Sequence, residues 1–215
     1  MTTRCFVTVL FLVSFFTANA QIEKCNLTRS IFSRLYTVNV EDVICLAQNS
    51  DKDITIFFTY ADWCAPCRRK LPGAIKLAEK HNVDFYVLLV DRESDRFSIG
   101  RALQTLDSLH NIKAVIITDS LYSEGYLERL ERRDRRPIRI SGRTARDKYR
   151  NFLTLITPPE FENIPGMGKF IVLNNKGEVI LVTNYRDAGG ARSAVEGDAR
   201  IFNRVVQVIE NSRRE

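Results

Sequence analysis

The chain is 215 residues long, with 32 Lys and Arg against 26 Asp and Glu, a formal net charge of +6 and a hydrophobic fraction of 45%. That length suits one domain with a substantial insertion. Ten basic residues against three acids fall between Arg129 and Arg150, so the remainder is nearly balanced. Neither a recognition motif nor interleaved stacking aromatics accompany that run, which argues against nucleic acid as a partner.

Residues 1–20 read as an export signal. Arg4 precedes an apolar run from Cys5 to Phe16, and Ala18-Asn19-Ala20 has the small-x-small pattern of a signal-peptidase site. The run falls short of the about 20 residues of a comfortable membrane span, although an uncleaved signal would serve as an anchor. No other segment reads as a span, so the expected mature domain is 21–215, with no stable span once the signal is removed. Without Cys5 four cysteines remain, Cys25, Cys45, Cys64 and Cys67, an even set that suits an oxidising compartment. Cys25 and Cys45 either form a structural bridge, or Cys45 is a small buried hydrophobe with Cys25 free. Spacing alone does not choose between them.

Residues 26–50 predict a helix, a short extended piece and a second helix. Asn39 caps the latter, with Glu41 and Asp42 in its first turn and Val43, Ile44 and Ala47 on its inner face. Ile54-Thr55-Ile56-Phe57-Phe58 is β-branched and aromatic enough for a buried strand over 54–60. Leu71, Ala74, Ile75 and Ala78 mark the inner face of a helix over 64–81, with Pro72 removing a backbone donor inside it. Between strand and helix lies Trp63-Cys64-Ala65-Pro66-Cys67. The free amides and dipole of a helix N-terminus favour negative charge. They lower a cysteine's pKa from its free value of about 8.5 and so supply the nucleophilic thiolate. Cys64 is placed to attack and Cys67, one turn on, to resolve the mixed disulfide. A zinc site needs four ligands, and no second Cys-x-x-Cys or Cys/His pair is present, so no metal is assigned.

Trp-Cys-x-Pro-Cys, with Pro72 five residues after Cys67, resembles the active site of the thioredoxin superfamily. The longer form Trp63-Cys64-Ala65-Pro66-Cys67-Arg68, continuing to Leu71-Pro72, is similar to the TlpA/ResA-type thiol:disulfide oxidoreductases of bacterial envelopes. The resemblance implies an α/β, thioredoxin-like sandwich, a central mixed sheet flanked by helices with a helix-strand insertion at about 96–142. It also implies a periplasmic setting.

Further on, Val83–Val90 predicts a strand closed by Asp91-Arg92-Glu93-Ser94, and Ile99, Leu103, Leu106 and Leu109 a helix over 96–110. Lys113–Ile117 predicts a third strand. Strands alternating with helices imply parallel pairing. The basic segment 129–150 is either an electropositive surface for an acidic partner, anionic lipid or polymer, or a solvated loop and helix face. Ser141 can cap a helix over 143–157 that buries Phe152, Leu153 and Ile156 and ends at Pro158-Pro159. Phe170–Leu173 and Val179–Val182 flank Asn174-Asn175-Lys176-Gly177 as a β-hairpin. A last helix over 198–211, starting at Asp198, buries Phe202, Val205, Val206 and Ile209.

The sequence departs from the family it resembles. The resemblance implies a cis-proline before the hairpin, facing the cysteine pair; the usual register puts Gly168 there, with Pro165 three residues earlier. Either a longer loop lets Pro165 serve or a glycine-rich turn replaces it. Phe58 stands where thioredoxin has a buried aspartate, and Lys70 where many TlpA-type proteins have a glutamate. Water or Asp62 would then assist Cys67, although Asp62 also reads as an exposed turn residue. His81 and His110 lie outside the motif, which speaks against a Cys–His hydrolase.

The leading expectation is an exported thiol:disulfide oxidoreductase that reduces protein disulfides and is recharged by an upstream thiol protein. It needs no cofactor, since the two sulfurs carry both electrons. The alternatives are a copper-handling protein using both thiolates as soft ligands, with Met167 as the candidate neighbouring sulfur, and a non-catalytic binding module acting through the basic segment.

Overall fold

The computed structural model describes residues 21–32, 34–109, 112–119, 145–164 and 166–214. The predicted signal, His110, Pro165 and most of the basic segment lie outside them. Seven strands form one mixed sheet: β1 (Thr28–Arg29), β2 (Tyr36–Val38), β3 (Ile54–Tyr60), β4 (Asp84–Leu89), β5 (Lys113–Ile117), β6 (Phe170–Asn174) and β7 (Val179–Val182). Their order is β1-β2-β5-β4-β3-β6-β7. The longer helices among the described residues are α1 (Val40–Gln48), α2 (Ala65–Lys80), α3 (Arg96–Asp107), α4 (Ala145–Ile156) and α5 (Ala194–Ser212).

β3 is central because its sequence has no solvent-tolerant face: all seven residues are buried. It pairs in parallel with β4, through Phe58 opposite Val87, and antiparallel with β6, through Phe58 opposite Phe170. Phe57 stacks on Tyr86 with ring centroids 5.1 Å apart, and Phe58 tilts against Phe170 at 5.0 Å. Aromatic pairs of this kind add about 0.5–1.5 kcal/mol each beyond burial. β5 enters between β4 and β2, parallel to both, and so widens the sheet where the insertion was expected.

α2 and α5 pack together, while α1 meets α4. The α2–α5 approach depends on Gly73, where an added Cβ would sit 2.9 Å from the Phe202 ring. Asn39 and Asp42 form a reciprocal capping box on α1, satisfying two amides that the first helical turn leaves free.

Two boundaries differ from expectation. Among the described residues of 26–38 there is no helix; β1 and β2 pair antiparallel there and extend the sheet edge. Cross-strand pairing and a Cys25–Cys45 disulfide, both non-local, override the local helix signal. The bridge spans a separation of 20 residues, and loop-closure entropy for a loop of that size is about 3 kcal/mol. α5 begins at Ala194, capped by Ser193, so Asp198 is a helix residue rather than its start.

Candidate active site

β3 delivers the chain into a turn, Cys64 N–H donating to Ala61 O at 3.0 Å, from which α2 springs. Cys64 is the N-cap, and its Sγ accepts the Cys67 N–H at 3.2 Å. Ala65 and Pro66 occupy the first turn, where a missing N–H has no helical partner to lose. Cys64 and Cys67 are joined as a disulfide, with Cys64 7% exposed and Cys67 fully buried. The outer sulfur is the one a substrate can reach, and the amides of the α2 N-terminus point at it.

Trp63 is 44% exposed, yet its Nε1–H donates to Asp91 Oδ1 at 2.6 Å, just beyond the end of β4. Burial raises the Asp91 carboxyl above its usual range, with the indole hydrogen bond opposing. Asp62 is not an exposed turn residue: it is buried, and its carboxylate pairs with Arg101 Nε at 2.8 Å. α3, the helix of the insertion, thereby claims the side chain that could otherwise assist Cys67. Phe58 and Lys70, the two non-acidic positions, are both buried.

On the other side of the cysteines lies the loop 166–169. Gly168 has φ +73°, a left-handed conformation that favours glycine, and a Cβ there would sit 3.5 Å from Cys67 Sγ. Gly168 therefore lies against the cysteine pair, the place where the resemblance implied a cis-proline. Among the described residues no peptide bond is cis, and the alternative, Pro165, is not one of them. Pro72 lies inside α2 as predicted.

A chain of hydrogen bonds holds this loop. Lys169 N–H donates to Thr59 Oγ1 (2.9 Å), Thr59 lies 3.2 Å from Tyr149 Oη, and Tyr149 O–H donates to Gly166 O (3.0 Å). With the Thr59 oxygen accepting from the backbone and Tyr149 donating onward, the Thr59 hydroxyl donates to Tyr149. Burial pushes the Tyr149 phenol up, so it stays protonated as that donor. Beside it, Lys148 is 0% exposed and donates to Asp91 O (2.6 Å) and Asp119 Oδ1 (2.8 Å). Burial lowers its pKa, and Asp119 opposes. Lys148 and Tyr149 were expected in a solvated or partner-facing basic run; instead they pin α4 to the sheet end beside the cysteines.

Together these elements enclose a groove of about 640 Å³ between Trp63, Cys64, Ala65 and Pro66 on one side and Tyr149, Arg150, Leu153 and Thr154 of α4 on the other. Asn163, Gly166 and Met167 complete it. Cys64 opens onto a mostly apolar cleft whose size is that of a ligand site.

Sequence reasoning missed Thr59, Asp91, Lys148 and Tyr149. Signals existed for three: Thr59 is a polar residue in an apolar strand beside the motif, Asp91 follows a buried parallel strand, and Tyr149 continues the periodic set Phe152, Leu153, Ile156. Nothing local distinguishes Lys148 from its basic neighbours.

No family model matches the chain, and no curated protein matches it significantly. Among solved structures it is similar to a thio-disulfide isomerase from Thermus thermophilus, at 17% identity over 75% of this chain and 82% of that one, TM-score 0.38. It is also similar to a Bacteroides vulgatus protein described as a thiol-disulfide oxidoreductase, at 20% identity over 73% and 75%, TM-score 0.35. Both likenesses are remote, and neither bears on activity. The β3-α2-β4 crossover, the β6-β7-α5 unit and the strand order β4-β3-β6-β7, with the cysteine pair at the head of α2, make this a thioredoxin-like fold.

Proposed function

We propose that the protein is an exported thiol:disulfide oxidoreductase of the TlpA/ResA type, which reduces protein disulfides and is recharged by an upstream thiol protein. The observation that carries this reading is the placement of the pair. Cys64 caps α2 and opens onto the apolar groove, while Cys67 is buried behind it at a Cα separation of 5.2 Å. A thiolate at a helix N-terminus attacks, and a shielded partner within bonding reach resolves. Export is supported by the predicted signal and by the Cys25–Cys45 bridge, which suits an oxidising compartment. Among the described residues no helix is long and apolar enough to cross a membrane.

The reductive direction rests on the residues between and after the cysteines. Ala65-Pro66 supplies neither a charge nor a side-chain donor that would hold a thiolate, and Arg68 and Arg69 are exposed. An exposed charge contributes about 1 kcal/mol or less.

The test is exchange with a reduced or disulfide-bonded protein such as insulin. Cys64→Ser abolishes reduction, whereas Cys67→Ser traps a mixed disulfide on Cys64. Alkylation of the reduced protein at mildly acidic pH that labels Cys67 ahead of Cys64 overturns the assignment.

One observation favours the copper reading as a second: Met167 lines the same groove as Cys64, adding a third soft sulfur. Among the described residues no cluster of three or more His, Cys, Asp or Glu forms. Stoichiometric Cu(I) retention in equilibrium dialysis, without thiol exchange, reverses the ranking. The binding-module reading depends on the basic segment, most of which is outside the described residues.

A further inference from the structure

We propose that Lys70 is the positioning residue for the Cys67 half of the pair, a buried cation that stabilises the Cys67 thiolate; this rests on the reading of Cys64 and Cys67 as an exchanging pair. Lys70 follows Cys67 by three positions on α2, and residues so spaced share a helix face. Both point inward, Lys70 being 8% exposed, while Arg68 and Arg69 between them are exposed. Lysine is almost never this buried without a partner. Its Nζ lies 3.5 Å from Gly168 O and 3.6 Å from Asp198 Oδ1. A Cβ added at Gly168 would sit 3.5 Å from Cys67 Sγ, so Gly168 also faces the inner cysteine. The ammonium thus reaches the carbonyl of the same glycine whose open Cβ side faces Cys67.

The charge of Lys70 is not cancelled. Asp198 Oδ2 is held by Arg69 Nε at 2.7 Å, so one carboxylate serves two cations. Lys169, also buried, donates to Thr183 O at 2.8 Å and adds a third cation, with Asp187 as the carboxylate acting on it, so three cations face two carboxylates. Tyr185 and Arg192 line the same cavity and bring no further carboxylate. Burial accordingly draws the Lys70 pKa down, with Asp198 opposing. An anion forming at Cys67 relieves that imbalance.

The need arises in the second half of the reaction. Cys64 thiolate first attacks a substrate disulfide sulfur; the substrate S–S bond breaks and one substrate thiolate leaves, taking a proton from water. Cys67 then loses its proton to water and attacks Cys64 Sγ. The mixed S–S bond breaks, the second substrate thiolate leaves and is protonated, and the Cys64–Cys67 bond forms. Two protein thiols are oxidised and one substrate disulfide is reduced to two thiols. Cys67 must become an anion where it has no solvent, which desolvation opposes and a nearby cation favours.

The test measures the reduction potential against glutathione and the pH profile of mixed-disulfide resolution. Lys70→Met, a volume-conserving change, lowers the equilibrium constant for reduction about tenfold, equivalent to about 30 mV, and shifts resolution to higher pH. Lys70→Arg restores both. Asp198→Asn, which removes the compensating anion, moves both in the opposite direction. A purely structural role gives no such opposition of sign. Equal potentials and superimposable pH profiles for wild type, Lys70→Met and Asp198→Asn overturn the inference while leaving the parent reading intact. A wild-type pair that never exchanges with glutathione removes both. If Lys70→Met fails to fold, absence of the opposite shift in Asp198→Asn alone overturns the assignment.

Discussion

Trp63 Nε1–H donates to Asp91 Oδ1 at 2.6 Å, tying the residue before the outer cysteine to a carboxylate that is 1% exposed. The bond fixes the indole as one wall of the groove while the residue stays 44% exposed. It also leaves an anion where desolvation disfavours one.

A pH dependence of stability follows. Burial raises the Asp91 carboxyl above its ordinary 3.8. Because the folded pKa exceeds the unfolded one, stability is fully present below the unfolded value and is lost as pH rises through the folded value. Asp91→Asn keeps an acceptor for the indole without the charge. Urea midpoints of wild type and variant should converge below the ordinary carboxylate pKa, with the variant the more stable at neutral pH. A constant difference across that window places the effect elsewhere.

The Thr59–Tyr149–Gly166 chain should behave as a unit. Tyr149→Phe leaves a buried hydroxyl and a carbonyl short of a partner, at about 1–3 kcal/mol. Thr59→Val breaks the same chain one link earlier. The double variant should lose less than the sum of the singles, since groups in one network couple. Denaturant unfolding of the four proteins measures this, and strict additivity shows that the chain is not cooperative.

The potential of the Cys64–Cys67 pair should lie nearer thioredoxin's, about −270 mV, than a strong periplasmic oxidant's, about −120 mV. That gap of roughly 150 mV is about 7 kcal/mol for two electrons. Exposed Arg68 and Arg69 are far too weak to span it. A Lys70 contribution of about 30 mV moves the pair in the oxidising direction without closing the gap. Equilibration with glutathione decides: a pair still mostly reduced in a buffer poised near about −180 mV contradicts it.

Cleavage after Ala20 should give a mature N-terminus at Gln21 that keeps its side-chain amide. Gln21 is buried, with Nε2 donating to Asp84 Oδ2 at 3.0 Å and Oε1 accepting from Tyr86 O–H at 3.0 Å and Lys113 Nζ at 3.1 Å. Cyclisation would take the nitrogen out of this cluster. Intact-mass measurement of the processed protein should show Gln21 without loss of ammonia; a fully cyclised terminus contradicts the docking.

The cysteine turn was legible because it is local. An apolar run, a Cys-x-x-Cys and an amphipathic helix lie within residues 54–80, so strand, turn and helix follow from neighbours a few positions apart. The hairpin at 170–182 was legible for the same reason. Local pattern could not decide residues 26–38, where pairing with β5 and the bridge to Cys45 outweigh helix propensity. Nor could it place Gly168 against Cys67, a relation set by how β6 lies beside β3.

The amino-acid sequence by itself determined that two cysteines would stand at the head of a helix on the central strand, since burial of β3 and the α2 apolar stripe admit no other placement. What surrounds them was decided only in three dimensions. Lys148 and Tyr149 come to Asp91 and Thr59 across separations of 57 and 90 residues. Asp198 reaches Lys70 from the far helix. Which charge ends up buried, and beside which sulfur, depends on how the helices close on the sheet, because a charge's worth is set by the groups and solvent around it rather than by its neighbours in the chain.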